Sequence, residues 1–164
     1  MEKEESVRFR PIGIVHTKAT DEEIRKHITR ESIIEIYPEL QAGLHGLEGF
    51  SHIFVVSYFD RLRPEQIGPL QVRPKELLRY GFKLEELPLM GVFALDSPTR
   101  PNGIGLSLVR LERIDEGRNL VVFGLDLFDK TPVLDIKPYQ SIYRTDQYKL
   151  PDWHIRLQER TGHV

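Results

Sequence analysis

The chain of 164 residues contains no cysteine, which excludes a disulfide framework and a thiolate metal site and suits a cytoplasmic protein. It has no long apolar run, and the opening MEKEES lacks the apolar stretch of a signal peptide, so no membrane association is expected. The six histidines, at 16, 27, 45, 52, 154 and 163, share no tight ligand spacing, so no metal is expected. A Walker loop, a glycine-rich dinucleotide turn and the HExxH of metalloproteases are all missing. GIGLS is no nucleophile elbow, which leaves Ser107 as a packed strand residue, and His52 reads as a hydrogen-bonded core or turn residue. A formal net charge of −2 argues against a wholly basic nucleic-acid binder.

What is present describes one soluble globular domain, 40% hydrophobic and 29% charged, long enough to bury a core. Its charge is uneven. From Arg61 to Lys83 six cations face only Glu65 and Glu76, a local +4 that leaves −6 for the remainder. Such a cluster either attracts phosphates or is a solvated loop.

RFRPIGIVH reads as a first strand with Pro11 at an edge or bulge, and TDEEIRKHI as a helical turn capped by Thr20 or Asp21. ESIIEIYPEL is a second strand stopped by Pro38. GFSHIFVVSYFD is apolar on both parities and predicts a central strand buried on both faces. A basic, proline-rich excursion from the sheet follows, to Pro88 or so. PLMGVFALD predicts a return to strand, and GLSLVRLERI and NLVVFGLDLF predict a hairpin about DEGRN. Val121, Phe123, Leu125 and Leu127 alternate with their neighbours, whereas the apolar parity changes between Leu108 and Val109, as at a bulge or between two covered faces. TPVLDIKPY is a short last strand and PDWHIRLQER a closing helix. The expected fold is mainly β, a small antiparallel β-barrel with short helices, a single domain and a C-terminal helix. Residues 1–7 read as a charged tail, 8–145 as the barrel domain and 146–164 as a C-terminal helical segment.

Polar residues gather at the strand ends. Pro98 and Pro101 stiffen the loop that carries Ser97, Arg100 and Asn102, and a stiff loop orders little when a ligand arrives. DLFDKTPVLDIKPY brings Asp126, Asp129, Lys130, Thr131, Asp135, Lys137 and Tyr139 to another strand end. Either stretch alone is readily a turn whose Asp and Thr satisfy local backbone groups. Two of them flanking one hairpin point to a site.

In this order, IGIVHT, GLEGFSHIFVV, GVFALDSPTRPNGIGLSLVRL and LDLFDKTPVLDIKPY resemble the TsaA-like family, which includes the TrmO tRNA methyltransferases. The resemblance runs from Pro11 to Tyr139. It implies a small β-barrel that works as a homodimer, binds S-adenosylmethionine and methylates N6 of threonylcarbamoyladenosine beside the anticodon of tRNA. It further implies cofactor contacts at Asp60 and Arg61, at Asp96, at Leu106, and at Asp129, Lys130, Thr131 and Pro132. A weaker correspondence adds Arg25, Lys26 and His27. The chain departs from the bacterial pattern in having Asp60-Arg61 for His-Gln, Asp96 for Arg, and DKTP for DGTP.

The implied reaction requires a poorly nucleophilic nitrogen to lose a proton, and Asp135 and Tyr139 are the candidate acceptors. Arg100 and Lys137 are candidates for holding a threonyl carboxylate or a phosphate. Asn102 reads a base edge or braces its loop. Two other readings stand beside this one: a non-catalytic S-adenosylmethionine-binding protein, and an RNA-binding β-barrel without catalysis.

Overall fold

Val15, Ile34, Ile36, Ile53, Val55, Val109 and Val133 sit at alternating strand positions and are buried. A side-chain period of two therefore aims one face of each strand at a common core. The computed structural model describes residues 6–26 and 30–162. Its elements are β1 (Gly13–His16), α1 (Asp21–Arg25), β2 (Glu31–Ile36), β3 (His52–Tyr58), β4 (Gln71–Val72), β5 (Met90–Gly91), β6 (Ile104–Asp115), β7 (Asn119–Phe123), β8 (Pro132–Pro138) and α2 (Asp152–Thr161). Six strands close into a barrel in the order β1-β2-β7-β6-β3-β8, with each neighbouring pair antiparallel. Closure removes the free edges that an open sheet would leave. The antiparallel barrel, the short helices and the C-terminal helix are those expected from the sequence.

Thr20 is the N-cap of α1. Its hydroxyl accepts from the Glu23 amide at 3.2 Å while the Glu23 carboxylate accepts from the Thr20 amide at 2.9 Å. At the base of β1, Gly13 lies so close to β2 that an added Cβ would stand 2.3 Å from the Glu35 carbonyl oxygen. Here the glycine supplies space rather than backbone freedom.

Four local expectations are corrected. β3 is central, between β6 and β8, but only Ile53, Val55 and Ser57 are fully buried, and Phe54 and Val56 face outward, half-covered. The parity change in β6 marks no bulge at Leu108, because pairing with β3 runs unbroken from Ile104 to Arg110. Ile104, Leu106 and Leu108 instead point outward, Leu106 61% and Leu108 49% exposed, and the register shifts only at Leu111/Arg113, against β7. Along β7, Leu120, Val121 and Val122 are all buried and Phe123 is not; Leu125 and Leu127 reach the core from beyond the strand, after Gly124 at φ +92°. PLMGVFALD forms no barrel strand. Only Met90 and Gly91 pair, with β4, and Val92–Ala94 tighten into a 3-10 turn that buries Val92 and leaves Phe93 exposed.

The chain groups into two compact units. The first runs to Leu62 and resumes over Gly103–Tyr139, and it contains the barrel. The second comprises Arg63–Asn102 and the residues from Gln140 on. It holds the β4–β5 pair and α2, with Phe82, Leu87 and Val92 buried. Within it the Arg160 guanidinium lies 4.1 Å from the Phe82 ring centroid, and the Arg73 guanidinium donates to the Leu87 carbonyl. The excursion expected from composition is therefore a folded segment.

Candidate functional site

Antiparallel closure fixes which loops meet. The pairings His16↔Ile33, Tyr58↔Ile104, Ser57↔Val133 and Phe123↔Glu31 place the ends of β1, β3 and β7 and the starts of β2, β6 and β8 at one barrel mouth. Three segments far apart in sequence gather there. The guanidinium carbons of Arg25 and Arg61 lie 5.2 and 5.4 Å from the centroid of the Phe128 ring. A guanidinium over an aromatic face is attracted by the ring quadrupole and keeps its in-plane donors for other partners. Arg61 also donates to the Asp129 carbonyl and lies 3.4 Å from the Asp21 carboxylate at the start of α1. The Asp129 carboxylate in turn accepts from the Thr17 amide at 3.1 Å, and the Thr17 hydroxyl accepts from Ser32 Oγ at 3.2 Å.

The segment between Phe128 and Thr131 is a tight turn. The Thr131 amide donates to the Phe128 carbonyl at 3.2 Å, and Lys130 adopts φ +68°. A positive φ at the third residue is the pattern of a type II turn, a position that favours glycine. The Lys130 amide donates to the Val15 carbonyl at 2.8 Å and the Val15 amide to the Thr131 carbonyl at 3.0 Å, so the turn is laced to β1. Lys130 Nζ lies 3.0 Å from His16 Nδ1, and His16 Nε2 lies 2.6 Å from Glu35 Oε2. Arg118 donates to Glu35 Oε1. Its guanidinium foremost, and His16 next, hold the Glu35 carboxyl below the usual carboxylate range.

The other predicted positions distribute as follows. Asp60, exposed, follows β3, with its amide bonded to the Tyr58 carbonyl at 3.0 Å; Leu106 faces outward near the start of β6; Thr131 is buried and Pro132 opens β8. Lys26 is paired with Glu22, and His27 lies outside the described residues. Asp135, Lys137 and Tyr139 share the outer side of β8 and its continuation and run away from the Phe128 cluster. Asp135 and Lys137 pair with each other at 3.1 Å, and the Tyr139 ring packs 5.7 Å from that of Phe54. Asp96, Arg100 and Asn102 belong to the second unit, where Arg100 Nη1 donates to the carbonyls of Leu95 at 2.8 Å and Ser97 at 3.1 Å. Arg100 braces its own loop.

Sequence reasoning passed over Phe128, His16, Glu35 and Arg118. Phe128 is the one aromatic of DLFDKTP, and His16 is the one titratable residue of IGIVHT. The link from His16 to Glu35 is diagonal across two strands, so it depends on a register that spacing alone does not give.

Fold and cluster together define a class: a closed antiparallel barrel whose arginine-bearing site is built from loops at one mouth. The chain belongs to the tRNA-methyltransferase O N-terminal domain family, which matches residues 15–146. A Pyrococcus abyssi protein named a probable S-adenosyl-L-methionine-binding protein is 36% identical over 160 residues, covering 94% of this chain and 74% of its own length. A human tRNA (adenine(37)-N6)-methyltransferase is 36% identical over 129 residues, 77% of this chain but only 27% of the human protein. The crystal structure of TrmO superposes with a TM-score of 0.65 at 31% identity, covering 88% of this chain and 64% of that structure. This chain therefore spans about two-thirds of that structure's length.

Proposed function

We propose that this protein methylates tRNA using S-adenosylmethionine, and that its substrate is N6 of threonylcarbamoyladenosine next to the anticodon. The observation that carries the reading is the meeting of Arg25, Arg61 and the Phe128–Pro132 turn at one barrel mouth, since these are the segments that the family resemblance assigns to the cofactor. Their chemistry fits such a ligand. Guanidinium groups suit its carboxylate, while turn carbonyls and the nearby Asp21 and Asp60 suit its ammonium and adenine amino groups.

When bound, the cofactor supplies a methyl activated by a sulfonium, so alignment and exclusion of water account for much of the catalysis. The chain's own residues prepare this. Arg61 ties α1 to the Asp129 carbonyl, and Thr17 fixes the Asp129 carboxylate, so two loops are held in place before a ligand arrives. β8 leads away from the turn, and Asp135, the first of its candidates along the strand, is the one for taking the N6 proton, while Lys137, its partner farther on, is the one for holding the threonyl carboxylate. The exposed apolar face of Ile104, Leu106 and Leu108 suits a second copy of the chain, as in a cytoplasmic homodimer. Light scattering should give about twice the 19.1 kDa chain mass.

The test is incubation with labelled S-adenosylmethionine and bulk tRNA carrying or lacking the threonylcarbamoyl group. Label should enter only the modified tRNA. Label in both would discard the substrate assignment. Cofactor binding without transfer to either would favour a non-catalytic binding protein.

A further inference from the structure

Lys130 is one of two described non-glycine residues with positive φ, the other being Glu116 in the β6–β7 turn. A left-handed conformation is unfavourable for a residue with a Cβ and persists only where the surroundings hold it. Those surroundings are visible. A protonated lysine donates and cannot accept, so in the 3.0 Å contact with Lys130 Nζ the His16 Nδ1 atom is the acceptor. His16 Nε2 then carries the ring proton and donates it to Glu35 Oε2 at 2.6 Å. Glu35 is held from the other side by Arg118, which also reaches the Ile36 carbonyl at 3.3 Å. The four side chains form a continuous line on the barrel wall, from the β6–β7 turn to the turn before β8.

We infer that His16, fixed by Glu35 and Arg118, is a positioning residue that holds Lys130 in its left-handed conformation and so sets the shape of the Phe128–Thr131 turn. The inference rests on the reading that this turn meets the cofactor. His16 touches no reacting atom in this scheme. It stands in for the freedom of a glycine: where a glycine would adopt the turn unaided, a lysine needs its side chain anchored.

A histidine that only packed against its neighbours would not be made dispensable by a glycine at position 130. In the full chain, His16→Ala should weaken S-adenosylmethionine binding by a factor of about 5 to 30, the equivalent of releasing one left-handed residue. Glu35→Gln, which keeps the shape of the side chain, should act in the same direction and less strongly. In a Lys130→Gly background neither substitution should weaken binding further, because a glycine holds the turn without an anchor. Hydrogen exchange gives a readout without cofactor. The Lys130 amide, bonded to the Val15 carbonyl, should exchange about 5 to 30 times faster in His16→Ala and recover in the double variant. If the exchange pattern holds while no variant and not the wild type binds S-adenosylmethionine, the cofactor reading fails and the positioning role stands. If Lys130→Gly leaves His16→Ala unrescued in exchange, the positioning role is wrong.

Discussion

Glu35 holds two partners at once, Arg118 through Oε1 and His16 through Oε2, and both favour its ionised form. A carboxyl held lower in the folded chain than in the unfolded one contributes stability that is present above the unfolded value, about 4.3, and disappears as the pH falls through the folded value. Wild type should therefore melt above Glu35→Gln near neutrality, and the gap should close below about pH 4. Thermal melts of the two proteins across that range check it; a gap that stays constant down to pH 3 would remove the carboxylate from the account. The cations of the excursion divide by their contacts. Arg73 is half-buried and donates to the Leu87 carbonyl, so Arg73→Ala should lower stability. Lys75 is exposed, and Lys75→Ala should reduce the slope of log affinity for tRNA against log salt by about 1. Salt titrations of both variants separate the two roles.

At the scale of elements, the β1–β2 pair depends on one small residue. Alanine at Gly13 would set its Cβ 2.3 Å from the Glu35 carbonyl oxygen, and backbone of a paired strand cannot rotate away as a side chain can. Gly13→Ala should cost about 3 kcal/mol, the upper part of the range for overpacking. For a chain of this size that is a fall in Tm of roughly 6–12 °C by calorimetry. A Tm within 2 °C of wild type would mean that the strands part without penalty. The strands themselves were legible wherever apolar residues alternate with polar ones, as in ESIIEI, and the turn residues of DEGRN located the β6–β7 hairpin. Legibility failed where an outward face is also apolar. Leu106 and Leu108 resemble core residues by composition, and only pairing with Val56 and Phe54 shows that they point away from the core. PLMGVFALD failed for a different reason: one buried anchor, Val92, is enough for a turn and too little for a strand. The candidate site was half legible. Arg25, Arg61 and Asp129 were marked by family resemblance, but Phe128 gains its meaning only when two arginines from other loops arrive at its ring.

For the whole molecule, the path between β3 and β6 separates what the barrel needs from what it carries. These strands pair from His52↔Arg110 to Tyr58↔Ile104, and the Phe59 amide donates to the Gly103 carbonyl at 2.7 Å. Gly103, at φ +57°, lies so near Leu62 that an added Cβ would stand 3.2 Å from its Cδ1. The segment 63–102 thus leaves and re-enters the barrel through a single narrow neck. Replacing it with a short glycine-rich turn, in a chain ending at Tyr139, should leave a folded barrel, read as a cooperative melt and retained β circular dichroism, while affinity for tRNA falls. Loss of cooperativity would show that the barrel needs the excursion in order to fold. To the folding barrel such a segment is only a long hairpin loop, and doubling its length costs about 0.6 kcal/mol in closure entropy. Mutation is then unequally constrained along the chain: the barrel tolerates a change in the length of the excursion far more readily than a shift of the strands that set its mouth, and an exchange of the excursion would carry Asp96, Arg100 and Asn102 with it.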